Sequence, residues 1–451
     1  TIDLAAGDGA SPNDTVTIEN GALLFDPTDM LTDITILAGQ GNDVFEIQDS
    51  EFQLPGGGDL TLDGGVATDP IRVIAQADAA EDDVALTLVT AGPNAVLTSA
   101  AASTASIQLL NFSGEIASLT GNATDNLFDL SGWSVNSQQS TATIIGGIGG
   151  DAASGNDTLI GFNDNTVWSI TNAFGPDSGD ATGIHFENVD NLVGGSGNDN
   201  FVLQNGVVFS GTLTGGAGTD QLDLSDFTAA QSVTLTASTA VGFDGASSPV
   251  TGGFFGIDSA LAGLAITDSL QGLNVDSTWE LDGSNRYIDD LGRALGFASF
   301  EELQGGSAND EFRVTGTRSN DLLGGGGNDR FSFQIAFSQI VGRVDGQSGT
   351  DTLDLAAFTT QREVTLLATT TNGFDGTEAS ITADFFGVDA IVGGFATTDI
   401  LNGIPVDARW DLNGANQGTY TASATARSLA FSQIENLNGN VGVDTFDFSN
   451  E

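Results

Sequence analysis

Aspartates that follow glycine-rich turns are the residues of this sequence whose type and spacing best suit a chemical role. Asp310, Asp329 and Asp351 each end such a turn and open a short alternating strand, and Asp199 and Asp220 do the same earlier in the chain. A carboxylate is a hard oxygen ligand, and calcium collects about six to eight such oxygens. Glycine permits positive φ and brings carbonyl oxygens close to an ion. The turns therefore predict cation binding.

The candidate metal ligands share one place in the turn, because each is the Asp that ends it or the Asn directly before that Asp. Carboxylates on neighbouring coils are expected to form rows, one with Asp199 and Asp220 and one with Asp310, Asp329 and Asp351. A second interpretation stays open, in which Asp and Asn only cap the turns through hydrogen bonds from side chain to backbone. The predicted Ca²⁺ ligands are Asp199, Asp220, Asp310, Asp329, Asp351, Asn198, Asn309, Asn328 and Asp157.

Composition argues against several partners. The 451 residues carry 61 acidic and 10 basic side chains, for a net charge of −51. This leaves no basic stripe to neutralise the phosphates of nucleic acid or an anionic membrane surface. No run approaches about 18 apolar residues, so membrane insertion is not expected. Cysteine is absent, so no disulfide holds the fold, and cations or salt must offset the repulsion among the acids.

The spacing of the turns predicts the elements that carry these side chains. Asp329 follows Asp310 by 19 residues, and Asp351 follows Asp329 by 22. A period of about 20 residues, made of turn glycines and short strands, is typical of a repeat architecture in which each coil lays a strand on the coil before it. The predicted fold class is all-β, a parallel β-helix (β-solenoid) built from coils of about 20 residues.

A longer repeat divides the chain into modules. Trp168 recurs as Trp279 after 111 residues and as Trp410 after a further 131. The difference corresponds to one additional coil, which carries Asp329, and an open stack accepts such an insertion because each coil contacts only its neighbours. The chain is interpreted as a fragment of a longer repetitive protein. The predicted organisation is one continuous solenoid with divergent coils at 1–156, a module at 157–267, a module with one extra coil at 268–398 and the start of a further module at 399–451.

Two local expectations concern core packing and helices. A Trp at a fixed place in each module, such as Trp168, is more often packed in the core than exposed as a platform for sugar stacking. The segments 258–264 and 288–300 are the places where a short helix is considered.

The turn itself resembles a known calcium-binding motif. Its pattern is Gly-Gly-x-Gly-(Asn/Thr)-Asp-x-(Phe/Leu), clearest at 194–201, 215–222, 305–312 and 324–331. This pattern resembles the glycine-aspartate repeats of RTX (hemolysin-type) proteins, in which turns on both edges of each coil hold calcium. The family's turns recur every nine residues, whereas here they recur about every twenty. The resemblance implies calcium where consecutive coils carry the turn.

A wider pattern precedes several of these turns. The phrase Phe-x-x-(Ile/Val)-(Glu/Asp)-Asn-Leu-x-Gly begins at Phe186 and again at Phe431. Over about residues 110–451 the chain resembles the repeats of giant bacterial haemagglutinin-like surface proteins and adhesins. The resemblance implies a secreted, right-handed parallel β-solenoid at the bacterial cell surface, with no enzymatic activity. Its expected partners are a cell-surface or glycan ligand, or copies of itself.

Three classes of function follow from these patterns. The first is a structural and adhesive stalk or adhesin segment stabilised by calcium. The alternative is a self-assembling filament or sheath subunit, because an uncapped solenoid exposes strand edges. The third is a carbohydrate-active β-helix enzyme, which is disfavoured because the Arg residues are scattered. Arg286 and Arg293 flank one loop, but the matching positions around Gln417 are not basic.

Overall fold

The computed structural model describes the backbone of the strands between residues 2 and 145, together with residues 157–173 and 175–448. The remainder of the predicted region 1–156 lies outside the described residues. Within the described part every regular element is a β-strand and none is a helix, which confirms the all-β prediction. These residues accordingly hold no helix with the length and hydrophobicity that a membrane span requires.

The chain folds as two compact units. The first consists of Thr1–Asp226 with Ala246–Ile257, and the second consists of Phe227–Gly245 with Asp258–Glu451. Strands β1–β20 and β23 belong to the first unit, and β21 belongs to the second. The bounds of the first strands are β1 (Ile2–Asp3), β2 (Thr15–Glu19), β3 (Ile34–Leu37), β4 (Val44–Asp49), β5 (Leu60–Asp63), β6 (Ile71–Ala75), β7 (Val84–Ala91), β8 (Asn94–Ser99), β9 (Ser106–Leu110), β10 (Ile116–Thr120), β11 (Asn126–Gly132), β12 (Ala142–Ile145), β13 (Thr158–Ile160), β14 (Val167–Ile170), β15 (Gly179–Ala181), β16 (Ile184–Glu187), β17 (Asn191–Val193), β18 (Asn200–Leu203), β19 (Thr212–Thr214), β20 (Gln221–Asp223), β21 (Ser232–Thr239), β22 (Gly242–Ser247) and β23 (Val250–Ile257).

All later strands belong to the second unit. Their bounds are β24 (Ser259–Leu261), β25 (Ser269–Gln271), β26 (Ser277–Leu281), β27 (Arg286–Ile288), β28 (Ala294–Ala298), β29 (Glu302–Gln304), β30 (Asp310–Val314), β31 (Thr317–Arg318), β32 (Asp321–Leu323), β33 (Gly326–Gly327), β34 (Arg330–Phe333), β35 (Gln339–Ile340), β36 (Val344–Asp345), β37 (Ser348–Gly349), β38 (Thr352–Asp354), β39 (Glu363–Thr369), β40 (Phe374–Glu378), β41 (Ile381–Val388), β42 (Ala390–Val392), β43 (Ile400–Asn402), β44 (Ala408–Gly414), β45 (Gln417–Ala422), β46 (Arg427–Ser432), β47 (Asn436–Asn438) and β48 (Asp444–Asp447).

Parallel pairing between sequence repeats dominates both units. In the first unit Thr158 pairs with Asn191, and Asn191 pairs with Thr212, so β13, β17 and β19 lie side by side. Strands β14, β18 and β20 pair in the same way in a second sheet. Parallel neighbours require a crossover connection, and here each crossover contains a strand of the other sheet. The chain therefore alternates between two sheets as it advances.

The step from one parallel strand to the next is longer than predicted in most places. Steps of 19, 21 and 22 residues occur at the turns that end in Asp329, Asp220 and Asp351. Elsewhere steps of 33 and 37 residues are found. The uniform coil of about 20 residues is therefore wrong for these stretches. The glycine turns do not register the extra strands that lengthen each step.

Antiparallel meanders take up the additional length. Strands β14, β15 and β16 form one such meander, with Trp168 paired to Ala181 and Asp180 paired to His185. Strands β26–β28, β39–β41 and β44–β46 form others in the second unit. These hairpins use tight turns that do not carry the Gly–Asp motif, so the motif spacing gives no sign of them.

The two segments considered for a helix form strands instead. Residues 258–264 contain β24, and residues 288–300 contain β28. In β28 the side chains of Leu295 and Phe297 are buried while their neighbours are more exposed. Burial that alternates at every second residue suits the two-residue period of a strand and not a helix.

Aromatic side chains stack along the interior of the second unit. Trp279 is fully buried, and its ring stacks on Phe312 with centroids 5.4 Å apart. Phe312 in turn stacks on Phe331 at 5.2 Å. Trp168 and Trp410 are fully buried as well, so the prediction that these Trp residues pack in the core is confirmed. Parallel register brings like residues together, and offset stacking adds to their burial.

Candidate functional site

Both predicted rows of Asp side chains form along the strand ends. In the first unit the backbone N–H of Asp199 donates to Oδ1 of Asp220 at 2.8 Å. In the second unit Asp310 N–H donates to Oδ1 of Asp329, and Asp329 N–H donates to Oδ1 of Asp351, each at 2.8 Å. Each Asp thus hydrogen-bonds the backbone of the coil before it. The rows are continuous hydrogen-bonded ladders.

The ladders extend beyond the predicted residues. The N–H of Thr166 donates to Oδ1 of Asp199 at 2.9 Å, and the hydroxyl of Ser277 donates to Oδ1 of Asp310. At the other end Asp351 N–H donates to Oδ2 of Asp389 at 3.2 Å. Asp389 directly precedes β42, as the other Asp residues stand at the starts of their strands. This register position, rather than the glycine motif, is the signal that sequence reasoning missed.

Asp157 lies apart from both rows. Its N–H donates to Oδ2 of Asp190 at 2.7 Å, next to a strand of the other sheet. Asp268 and Asp399 have related positions in the second unit, where each accepts the N–H of a residue 37 positions earlier. The structure therefore does not bring Asp157 together with the other predicted ligands.

The three predicted Asn ligands cap backbone amides beside the rows. Oδ1 of Asn198 accepts the N–H of Thr219 at 2.9 Å. Oδ1 of Asn309 accepts the N–H of Asn328 at 2.7 Å, and Oδ1 of Asn328 accepts the N–H of Thr350 at 3.0 Å. These contacts repeat the pattern of the Asp ladders. They agree with the capping interpretation of the turns.

The glycine five residues before each Asp makes room for the carboxyl group. A β-carbon on Gly324 would lie 2.2 Å from Oδ2 of Asp329, and one on Gly305 would lie 2.3 Å from Oδ2 of Asp310. Neither distance is possible for a real side chain. The glycine is therefore required by volume, whereas Gly325, next along the chain, has a φ of +101°. The same contact occurs in Gly194 with Asp199, Gly215 with Asp220, Gly346 with Asp351 and Gly439 with Asp444.

The second carboxyl oxygen lies in an enclosed environment. In the part of the chain that the structure describes, Oδ2 of Asp199, Asp329 and Asp351 is buried and has no hydrogen-bond partner. Asp310 differs, because its Oδ2 accepts the N–H of Gly306 at 2.8 Å. A buried polar atom without a partner carries a desolvation cost.

Burial shifts the acidity of these groups. Desolvation raises the pKa of Asp329 to about 8, and the neighbouring carboxyls of Asp351 and Asp310 add to the rise. Burial likewise raises the pKa of Asp351 and of Asp199 to about 7. The pKa of Asp310, also raised by burial, reaches only about 6, with hydrogen bonds from Ser277 and Gly306 opposing the shift. A low-dielectric site disfavours the charged form.

The described residues do not fit a calcium site built from side chains. No group of three or more His, Cys, Asp or Glu side chains that could hold a metal ion is found among them. In the rows one oxygen of each Asp is hydrogen-bonded to a backbone amide, and calcium needs about six to eight oxygens. The contacts account for the Asp and Asn residues as caps. Calcium binding stays a prediction that rests on the resemblance.

An open groove in the second unit is the other concave feature. Its volume is about 730 Å³, and hydroxyl and amide side chains such as Thr236 and Gln271 line it. The guanidinium of Arg293 on its wall donates to the carbonyl of Ser238 at 2.7 Å. The lining residues of this groove include no His, Cys or Glu, so the groove offers a polar surface without a general base of those types.

Comparison with known proteins does not assign the chain. No protein-family model matches this sequence, and no curated protein matches it. The resemblance to RTX and adhesin repeats therefore stays a prediction.

Proposed function

We propose that this chain is a structural and adhesive segment of a bacterial extracellular surface protein, built as a right-handed parallel β-solenoid. The observation that supports the proposal most directly is the pair of Asp ladders. Each ladder joins every coil to the next by a buried hydrogen bond, in addition to the parallel strand pairing. Right-handed crossovers account for about 98% of parallel connections.

The proposed mechanism is mechanical. Stacked coils form a stiff spacer, and the outer faces of the strands contact a cell-surface or glycan ligand. The acidic surface supports an extracellular role without nucleic acid, because the net charge of −51 repels phosphates. Enzymatic activity is not part of the proposal, since the groove wall presents Arg293 already bound to the backbone.

An adhesion assay under flow tests this proposal. Beads coated with the full chain are passed over bacterial cells, host cells and an array of neutral and acidic glycans. Beads coated with the heat-unfolded chain serve as the control. We expect retention of the folded chain on at least one of these surfaces and no release of sugar reducing ends from polysaccharide. Equal retention of the two bead preparations on every surface would contradict an adhesive role, and sugar release would point to an enzyme.

A further inference from the structure

The free oxygens of the Asp ladder each face a backbone carbonyl. A β-carbon on Gly324 would lie 2.2 Å from Oδ2 of Asp329 and 2.7 Å from the carbonyl oxygen of Gly346. A β-carbon on Gly346 would lie 2.5 Å from Oδ2 of Asp351 and 2.4 Å from the carbonyl oxygen of Gly387. Two oxygens therefore border the same small space beside each glycine. In both cases the carbonyl belongs to the next coil.

The first unit repeats this arrangement independently. A β-carbon on Gly194 would lie 2.3 Å from Oδ2 of Asp199 and 2.4 Å from the carbonyl oxygen of Gly215. Oδ2 of Asp199 is buried without a partner, like its counterparts in the second unit. The recurrence in a different unit shows that the geometry belongs to the turn and not to one location.

Two acceptor oxygens that share a buried space repel one another unless a donor lies between them. Leaving both without a donor costs the desolvation energy of each. A protonated carboxyl supplies an O–H donor without any additional atom. We propose that Asp199, Asp329 and Asp351 are carboxylic acids in the folded chain, each with a proton on Oδ2 that it donates to the glycine carbonyl of the next coil.

The charges around Asp329 and Asp199 favour this state. Asp329 is flanked by the carboxyls of Asp310 and Asp351, and Asp199 is flanked by the carboxyl of Asp220. No cation contributes to the environment of either group. Like charges one coil apart disfavour ionisation, in agreement with the raised pKa values of both groups.

Asp351 and Asp310 refine the pattern. The carboxyls of Asp389 and Asp345 oppose ionisation of Asp351, and the guanidinium of Arg427 favours it. Asp310 already receives an N–H on Oδ2 from Gly306, so it has no need of a proton there. Its smaller pKa rise follows from this difference, and Asp310 is the member of the row that we expect to ionise first.

The proposal makes the stability of the fold depend on pH. The three carboxyls bind protons in the folded chain at pH values where the unfolded chain has released them, because their folded pKa values exceed the ordinary value of 3.8. The stabilisation is fully present below about pH 4 and is lost as the pH rises through 7 and 8.

The variant Asp329→Asn tests the proposal, because an amide copies the protonated carboxyl. Its oxygen can accept the N–H of Asp310, and its NH₂ can donate to the carbonyl of Gly346. Thermal unfolding of the full chain is followed at pH 5 and pH 8.5 in EDTA at fixed ionic strength. We expect the Tm of the wild type to fall by several degrees between these values, and the Tm of the variant to fall by less and to exceed the wild type at pH 8.5. Asp290→Asn, which removes one exposed carboxylate, should keep the pH dependence of the wild type.

Two results would overturn the proposal. One is a variant that is destabilised at pH 8.5 as strongly as Asp329→Ala, because an ionised Asp329 cannot be replaced by an amide. The other is a rise in wild-type Tm at pH 8.5 on addition of calcium but not magnesium that disappears in Asp329→Asn. Infrared spectroscopy of the wild type gives a second readout that needs no variant: a carboxylic acid C=O band at pH 6 that is lost by pH 9 is expected, and its absence at pH 6 contradicts the proposal.

Discussion

The glycine that precedes each Asp by five residues has a role at the scale of a single atom. At Gly324 the position of a β-carbon is taken by Oδ2 of Asp329, so the two residues act as one unit. The sequence predicted that glycine and Asp belong together in the turn, and it predicted which Asp residues share a row. The volume relation between them could not be read from the sequence, because it depends on where the carboxyl points after the turn has folded.

Substituting this glycine should disturb the ladder directly. Gly324→Ala places a methyl group on Oδ2 of Asp329, and we expect a loss of about 1–3 kcal/mol in the free energy of unfolding, as for other overpacked sites. Urea denaturation measures the change. Gly326→Ala is the matched control, because its nearest neighbour would be Oγ of Ser348 at 3.4 Å. Equal effects of the two substitutions would mean that the contact with Asp329 has no special importance.

At the scale of elements, the sequence predicted the strands better than their connections. The recurring Trp positions were correctly expected in the core, and Trp279 is fully buried. The antiparallel meanders were missed because their strands alternate like those of the parallel ladders and their turns lack the Gly–Asp motif. The meander also hid a repeated contact: Arg427, and not a residue near Gln417, corresponds to Arg293. Arg427 donates to the carbonyl of Thr371 at 3.2 Å, as Arg293 does to that of Ser238.

The aromatic stack should contribute strongly to the stability of the second unit. Trp279→Ala removes a fully buried ring that stacks on Phe312, and we expect a loss of about 3–5 kcal/mol in the free energy of unfolding. Leu264→Ala removes a side chain that is 75% exposed and should change stability by no more than about 0.5 kcal/mol. The comparison is made by chemical denaturation of both variants. A small effect of Trp279→Ala would show that the stack is dispensable.

At the scale of the whole molecule, the proposed solenoid predicts that the number of coils can change. Deletion of residues 311–329 removes one 19-residue step and would bring β29 next to β36. We expect a folded protein with a β-type circular dichroism spectrum and a modestly lower Tm, because each coil contacts only its neighbours. Deletion of 10 residues, 311–320, removes about half a step and should prevent folding. If both deletions behave alike, the stack of interchangeable coils is not the correct description.

A crystal structure of the full chain at neutral pH, grown with calcium, tests the central claim most directly. The account predicts right-handed parallel coils in which Asp310, Asp329 and Asp351 stack, with each backbone N–H on Oδ1 of the next Asp and no cation between the carboxyls. A calcium ion coordinated by these side chains, or strands paired in a different register, would contradict it.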